Sequence, residues 1–344
     1  MAPILISTFF LSIFSFFNLL GIAKELISFQ LIYFSIGVIV FIIIKRLGLS
    51  FFRNNSKSFY YLFIALLILT FFIGPEVRGS KRWIDLYFFN FQASEFFKIF
   101  FVLFLADYFV KNKDEADQRK VFLGSLTYFL IPFLIIFKEP DLGNAIIYIF
   151  IYTILLLFSN ISKKYIFYLI VFSIIILPLG WFTLKDYQKQ RITTFISPQV
   201  DLQGSSYNRF QSIITVGSGK FLGRGLGLGT QTKLFYLPEN HTDFAFASLV
   251  EQFGFIGGAS VIGLFFTIIY VFILKALNFY NSKDDYGKFS FLFVLGILSY
   301  LSFQILINIG MNLGLLPIVG VVLPIISYGG SAFVTFLLGL ALIP

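Results

Sequence analysis

The sequence has no cysteine, a single histidine and few charged residues. The missing cysteines exclude disulfides, thiolate nucleophiles and cysteine metal sites, and one imidazole cannot form a histidine-rich zinc site. Charged residues make up 12% of the chain, whereas a soluble domain carries about 25%. An ordinary soluble enzyme is therefore excluded.

Apolar residues fill the place of the missing charge. Of the 344 residues 58% are hydrophobic and fifty are Phe, and the mean hydropathy is +0.89. No globular core could bury so much apolar surface, so most of it is expected to face lipid. We therefore expect a membrane protein and no nucleic-acid partner for the net charge of +9.

Ten apolar runs have about the length that a membrane-spanning helix needs. They cover approximately residues 4–20, 26–44, 59–73, 94–110, 121–137, 142–158, 165–183, 244–274, 289–312 and 325–343. The first run has no basic flank and no cleavage signature, which favours a retained span over a signal peptide. The pattern predicts an all-α integral membrane protein, a single polytopic domain over residues 1–344 with about ten transmembrane helices.

Basic residues predict the orientation of these spans. With the amino terminus inside, the interior loops hold thirteen Lys and Arg and the short exterior loops hold five. Both termini are then cytoplasmic. Residues 184–243, between the seventh and eighth spans, form a large extracytoplasmic loop rich in aromatic residues. We expect this loop to be an ordered cap.

Ionisable residues inside spans are candidates for a functional site. Glu95 and Lys98 stand three residues apart and share a helix face, either as a structural ion pair or as the lining of a cavity for a charged head group. Glu251 lies about two turns into the eighth span and needs a polar partner. Asp243 lies where the long loop meets that span, in the stretch Leu-Pro-Glu-Asn-His-Thr-Asp-Phe over residues 237–244.

This stretch has two interpretations. Thr242 could cap the helix and Asp243 could interact with the helix dipole, which is a purely structural role. Alternatively, Asp243 serves a lipid whose polar head projects outward. The glycine-rich segment, residues 217–231, has no strand–helix context for dinucleotide binding; it is either a flexible loop or a close approach to a ligand, with Arg224 meeting phosphate. Prolines and glycines in residues 315–331 predict a broken helix.

Several spaced motifs together resemble the SEDS proteins, the RodA and FtsW group of bacterial cell elongation, division and sporulation. They are Arg82-Trp83-Ile84, Gln92-Ala93-Ser94-Glu95 with Lys98, Glu139-Pro140-Asp141-Leu142-Gly143, Gln211-Ser212, the 237–244 stretch, and Asn308 through Ser331. The resemblance implies a peptidoglycan glycosyltransferase that polymerises lipid II into glycan strands at the outer face of the bacterial cytoplasmic membrane. It also implies a class B penicillin-binding transpeptidase as partner. Ala93 and Asn208 depart from the usual Pro and Gln.

The resemblance implies roles for individual residues. The essential aspartate falls on Asp243, and the candidate substrate-binding residues are Glu95, Lys98, Arg191, Arg224, Glu239, His241, Thr242, Ser327 and Ser331. Asp243 is expected to act as a general base on the acceptor sugar's 4-hydroxyl. One displacement that expels undecaprenyl pyrophosphate predicts inversion, with charge met by Arg224, Lys98 and Arg191 and a divalent cation, Mg or Mn, as an optional aid.

Three other functions stay open at this point. A lipid-linked oligosaccharide flippase would also use a polar cavity and broken helices. An O-antigen-type polymerase or ligase would share the span count and the outer loop, and a noncatalytic scaffold would only position the transpeptidase. The motifs do not distinguish elongation, division and sporulation.

Overall fold

The computed structural model describes residues 1–76, 80–86, 89–183, 189, 193 and 205–344. These residues are mainly helical, with one short antiparallel pair in which Ile84 faces Phe91 and Asp85 faces Asn90. The helices are α1 (Ala2–Ile22), α2 (Ile27–Asn54), α3 (Ser56–Ile73), α4 (Ala93–Lys111), α5 (Gln118–Lys138), α6 (Leu142–Phe158), α7 (Lys163–Thr183), α8 (Ser205–Ser218), α9 (Thr230–Lys233), α10 (Ala245–Tyr280), α11 (Asp285–Asn312) and α12 (Gly330–Leu342).

Each predicted apolar run overlaps a helix, but the start of the last run is wrong. α12 begins at Gly330 and not at residue 325. Ile325 has a φ of +71°, a left-handed conformation that is strained for a β-branched residue. The amide of Leu323 donates to Ser327 Oγ, and the amide of Tyr328 donates to the carbonyl of His241. The chain around Ile325 is therefore held in a non-helical turn.

Six stretches of helix in the described part are long and apolar enough to cross a membrane. They are Ala2–Ile22, Lys24–Asn54, Ser56–Ile73, Gln118–Lys138, Ala245–Tyr280 and Asp285–Asn312. Leu142–Phe158 and Gly330–Leu342 are shorter apolar helices. These lengths and compositions are those of a multi-pass membrane protein.

The chain forms two compact units. The first unit consists of Met1–Gln30, Phe167–Ile268 and Gln304–Tyr328, and the second of Leu31–Ile166, Ile269–Phe303 and Gly329–Pro344. The single domain over residues 1–344 stays a prediction. Of the predicted loop 184–243, residues 189, 193 and 205–243 are described. Residues 205–243 form α8, α9 and their connections within the first unit.

The core of the first unit lies beside the predicted site. Leu237 and Phe244, which bracket the acidic residues of the 237–244 stretch, are buried together with Ala247, Met311 and Ile318. Burial of apolar side chains on both sides of a polar turn fixes its two ends. The polar residues between Leu237 and Phe244 are therefore anchored at both ends by the apolar core.

The second unit is built around α4. Nearly every side chain of this helix is buried, and the helix packs against α3, α6 and α12. Phe97 and Phe101 are fully buried and contact the ring of Tyr148 from α6. Because α4 is surrounded by protein, its ionisable residues Glu95 and Lys98 need partners within the protein.

Candidate functional site

The acidic turn, residues 239–243, is fixed through its own backbone. Each of its carbonyls accepts a hydrogen bond, and such a segment cannot shift without breaking several bonds at once. The carbonyl of Glu239 accepts from the amides of Thr242 and Phe244, that of Asn240 from Ser248 Oγ, that of His241 from the amide of Tyr328, and that of Thr242 from Ser327 Oγ.

Asp243 is held by two asparagines of α11. Its carbonyl accepts from Asn308 Nδ2 at 3.1 Å and from Asn312 Nδ2 at 3.0 Å. Asn312 Oδ1 in turn accepts from the amide of Ala247 at 2.9 Å. Both asparagines are fully buried, whereas Asp243 is half-buried. The main chain of Asp243 is thus clamped while the residue keeps part of its surface exposed.

Sequence reasoning assigned no role to Asn308 and Asn312. The available signal was their spacing, since two amides four residues apart in an apolar helix lie on one face and need partners. Which groups they contact could not be read from the sequence. Their partner Asp243 is 65 residues from Asn308 and 69 from Asn312 along the chain.

The structure corrects the helix-cap interpretation of Thr242 and Asp243. α10 begins at Ala245, so Thr242 does not occupy the cap position and Asp243 does not lie in the first turn. Glu239 has a φ of +54°, which folds the chain back so that the amide of Phe244 reaches the carbonyl of Glu239. Thr242 Oγ1 donates to Glu239 Oε2 at 2.7 Å. A strained φ at a non-glycine residue is common at functional sites.

His241 makes one polar contact and one aromatic contact. Its Nδ1 lies 3.2 Å from Asn240 Oδ1, and its ring meets Tyr328 edge-on, with the centroids 5.9 Å apart. Ser327 Oγ, besides donating to Thr242, accepts from the amide of Leu323 at 2.9 Å. The first unit therefore brings Glu239, His241, Thr242, Asp243 and Ser327 together in one hydrogen-bonded cluster.

The glycine-rich segment lies against α10. The amide of Arg224 donates to the carbonyl of Glu251 at 2.8 Å, and that of Gly225 to the carbonyl of Gln252 at 3.1 Å. A Cβ on Gly223 would lie 2.1 Å from the carbonyl oxygen of Gln252, so no other residue fits there without displacement. The glycines bring the segment close to a helix, and the Arg224 side chain is left exposed. Phosphate contact by Arg224 stays a prediction.

The predicted pair of Glu95 and Lys98 is confirmed in the second unit. Lys98 Nζ lies 2.8 Å from Glu95 Oε1, and the lysine side chain is fully buried. The same Nζ lies 5.8 Å from the centroid of the Tyr300 ring, which adds a cation–π contact. Ser331 belongs to this unit, where its Oγ donates to the carbonyl of Asn90 and accepts from the amide of Gln92.

Another buried carboxyl in the second unit was missed as a site by sequence reasoning. Glu139, in the turn between α5 and α6, is 2% exposed, and its Oε1 has no hydrogen-bond partner. Burial, reinforced by the nearby charge of Asp141 and opposed by Arg82, raises the pKa of Glu139 to about 8. Arg82 donates to the carbonyl of Glu139 at 3.3 Å. Only its position in the Glu-Pro-Asp motif pointed to it.

Two predictions, the role of Arg191 and the divalent cation, are not tested by the described residues. Arg191 lies outside the described residues. Over the described ranges, no group of three or more His, Asp or Glu side chains could hold a metal ion. The divalent cation, Mg or Mn, stays a prediction.

Comparison with known proteins decides the family. The profile of the FtsW, RodA and SpoVE family, described as cell cycle proteins, matches residues 3–344. The chain belongs to this family. The probable peptidoglycan glycosyltransferase FtsW of Wigglesworthia glossinidia brevipalpis is 36% identical over 322 residues, which are 91% of this chain and 81% of that protein. Peptidoglycan glycosyltransferase MrdB of Escherichia coli K12 is 30% identical over 311 residues, 90% and 82% of the two chains.

Solved structures show the same fold. The rod shape determining protein RodA of Thermus thermophilus superposes with a TM-score of 0.71 at 22% identity, covering 99% of this chain and 94% of RodA. A chain from a peptidoglycan synthase complex that coordinates polymerization and crosslinking superposes with a TM-score of 0.83 at 23% identity, covering 100% and 96%. The chain thus has a RodA-like fold, and the SEDS resemblance is confirmed.

Proposed function

We propose that this chain is a peptidoglycan glycosyltransferase that polymerises lipid II. Relatives at 30–36% identity over most of the chain are named for that activity. The observation at the site that carries the proposal is the clamp on Asp243, whose carbonyl is fixed by Asn308 and Asn312. A catalytic base is effective when its position is fixed by packing and hydrogen bonds.

The reaction is one displacement. Asp243 takes the proton of the acceptor sugar's 4-hydroxyl, the freed oxygen forms a bond to the donor's anomeric carbon, and the bond from that carbon to the pyrophosphate oxygen breaks. Undecaprenyl pyrophosphate leaves with the electron pair, and the configuration at the anomeric carbon inverts. Arg224, Lys98 and Arg191 stabilise the leaving charge.

The remaining site residues bind or position substrate in this proposal. Glu239, His241 and Thr242 contact the acceptor sugar from the acidic turn, and Glu95 contacts the donor head group. Ser327 and Ser331 act as positioning residues, because their hydroxyls already bind the backbone. A divalent cation, Mg or Mn, is an optional aid that would offset the charge of the pyrophosphate; activity measured with and without EDTA tests whether the reaction needs it.

We infer a place in the cell from the same features. Apolar helices and the excess of Lys and Arg in the predicted interior loops support about ten passages through the bacterial cytoplasmic membrane, cytoplasmic termini and an extracytoplasmic site. A class B penicillin-binding transpeptidase is the proposed partner, because one solved relative comes from a synthase complex that couples polymerization and crosslinking. The process served is elongation or division.

The test is polymerisation of labelled lipid II by the purified chain with its transpeptidase. We expect glycan strands from the wild type and a loss of about 1,000-fold or more in Asp243→Asn, which keeps the size of the residue but cannot accept the proton. Asp114→Asn is the matched control, since the Asp114 side chain is 88% exposed. If Asp243→Asn made glycan strands at the wild-type rate, the assignment of Asp243 as the base would be refuted. If neither the wild type nor any variant made strands, the flippase or scaffold function would be favoured.

A further inference from the structure

Glu251 is a fully buried carboxylate held by neutral donors. It lies eight residues after Asp243, about two turns along the chain, and is 0% exposed. Its Oε1 accepts from the amide of Gln231 at 2.9 Å and from Ser218 Oγ at 3.2 Å, a hydroxyl that is shared with the carbonyl of Thr215 at 2.9 Å. Its Oε2 accepts from the amide and the hydroxyl of Thr232 at 3.1 and 2.7 Å. No basic side chain in the described part of the chain forms an ion pair with it.

These donors come from the two ends of the glycine-rich segment. Ser218 lies at its start, whereas Gln231 and Thr232 lie at its end and just beyond it. One carboxylate therefore ties both ends of the segment to α10. Arg224, near the middle, donates its amide to the carbonyl of Glu251. Glu251 thus contacts the glycine-rich segment at its start, middle and end.

The segment also completes a broken helix. α10 is interrupted at Gly254, which has a φ of +69°. In an intact helix the amides of Phe255 and Ile256 would donate to the carbonyls of Glu251 and Gln252. Here those amides donate to the carbonyls of Lys220 and Phe221.

The freed carbonyls of α10 accept from the amides of Arg224 and Gly225. A break in an apolar helix is tolerated only where such partners are supplied. The contact between segment and helix is therefore a built feature of the fold, and it depends on the backbone of Glu251 as well as on its carboxylate.

The turns from Ala245 to Glu251 connect the two proposed reaction groups. Asp243 precedes this stretch, and Arg224 is bound to its far end through the main chain. We propose that Glu251 is a positioning residue, which holds the glycine-rich segment so that Arg224 faces the donor pyrophosphate while Asp243 faces the acceptor. This inference rests on the proposed function for the roles of Arg224 and Asp243.

The variant Gly229→Ala displaces the carboxylate without removing it. A Cβ on Gly229 would lie 2.3 Å from Glu251 Oε2, whereas a Cβ on Gly217 would meet nothing within 4 Å. We expect Gly229→Ala and Glu251→Gln each to lower kcat for lipid II by about 100-fold, the order of loss that a misplacement of about 1 Å produces. Gly217→Ala is the matched control and should retain the wild-type rate.

A double-mutant cycle separates positioning from a general effect on folding. If Glu251 acts through Arg224, then Glu251→Gln should lower kcat little further in an Arg224→Ala background, because the two changes remove one interaction. Glu251→Asp should recover part of the loss. Equal losses from Glu251→Gln in both backgrounds, at matched yields of folded protein, would overturn the proposal.

A spectroscopic readout is independent of activity. The chain has no native cysteine, so Arg224→Cys provides a single attachment point for a nitroxide spin label at an exposed position. We expect Glu251→Gln and Gly229→Ala to increase the mobility of this label, and Gly217→Ala to leave it unchanged. If the label were as mobile in Glu251→Gln as in the protein with Glu251, the positioning role would be refuted, even if polymerisation were never observed. If Glu251→Gln does not fold, Ser218→Ala, which removes one donor, should still give a smaller gain in mobility.

Discussion

Two buried carboxylates, Glu95 in the second unit and Glu251 in the first, are stabilised in different ways. Glu95 has an ionic partner three residues along its own helix, with Lys98 Nζ at 2.8 Å. Glu251 is held by amides and hydroxyls that lie 19 to 33 residues earlier in the chain. The first arrangement neutralises a charge locally. The second fixes a distant segment against a helix, which is the arrangement needed to position groups from separate parts of the chain.

The two arrangements should also respond differently to mutation. Breaking a buried ion pair leaves one charge without compensation, and that loss exceeds what the intact pair contributes. A carboxylate with several neutral donors keeps most of them when one is removed. The predictions below use this difference, from the largest expected effect to the smallest.

Lys98→Met should have the largest effect on stability. It leaves Glu95 buried, 5% exposed and without its cation, which costs about 3–5 kcal/mol in the free energy of unfolding. Denaturant unfolding in detergent measures the change. The double variant Glu95→Leu with Lys98→Met should recover most of the loss, because no uncompensated charge remains. If the single and double variants were equally unstable, lost packing would explain the effect and the ionic comparison would fail.

Glu139 sharpens the comparison, because its Oε1 has neither kind of partner. Its pKa is raised from 4.5 to about 8, chiefly by burial. Between these two pH values the folded state holds a proton that the unfolded state has lost, so stability should fall as pH rises from about 4.5 to about 8 and then level off. The free energy obtained by converting the whole pKa shift is an upper limit, so we expect a smaller loss of stability, about 3 kcal/mol.

Unfolding measured at pH 5 and at pH 8.5 gives this pH dependence. Glu139→Gln keeps the size of the side chain and should abolish the part of the pH dependence that is due to Glu139. Asp114→Asn should leave the pH dependence unchanged. An unchanged slope in Glu139→Gln would assign the pH dependence to other groups.

The comparison also shows what a sequence can reveal. The pair of Glu95 and Lys98 was predictable because a spacing of three residues places both on one helix face. The partners of Glu251 were not, because they lie 19 to 33 residues away in the chain and two of the four donors are backbone amides, whose bonds leave no trace in residue type. The glycine-rich segment illustrates the same limit: its glycines were consistent with a flexible loop or with a close approach to a ligand, and the structure shows a close approach to a helix.

Glu251→Gln should destabilise the protein less than Lys98→Met. Glutamine keeps one carbonyl oxygen, but its amide nitrogen faces donors on Gln231 or Thr232. A buried donor facing another donor costs about 1–3 kcal/mol. Denaturant unfolding measures the loss, with Gly217→Ala as the control. A loss equal to that of Lys98→Met would mean that charge, and not donor geometry, holds Glu251.

Ser218→Ala should have the smallest effect. Its hydroxyl is the most distant donor to Glu251, at 3.2 Å, and Oε1 keeps the amide of Gln231 at 2.9 Å after the change. We expect a loss of about 1 kcal/mol by denaturant unfolding. Ser302→Ala should change stability less, because its hydroxyl bonds only carbonyls of its own helix, whereas that of Ser218 also reaches Glu251. A large loss would mean that the donors act as one unit. A small one would mean that the three remaining donors keep the segment attached to Glu251 when the hydroxyl of Ser218 is lost.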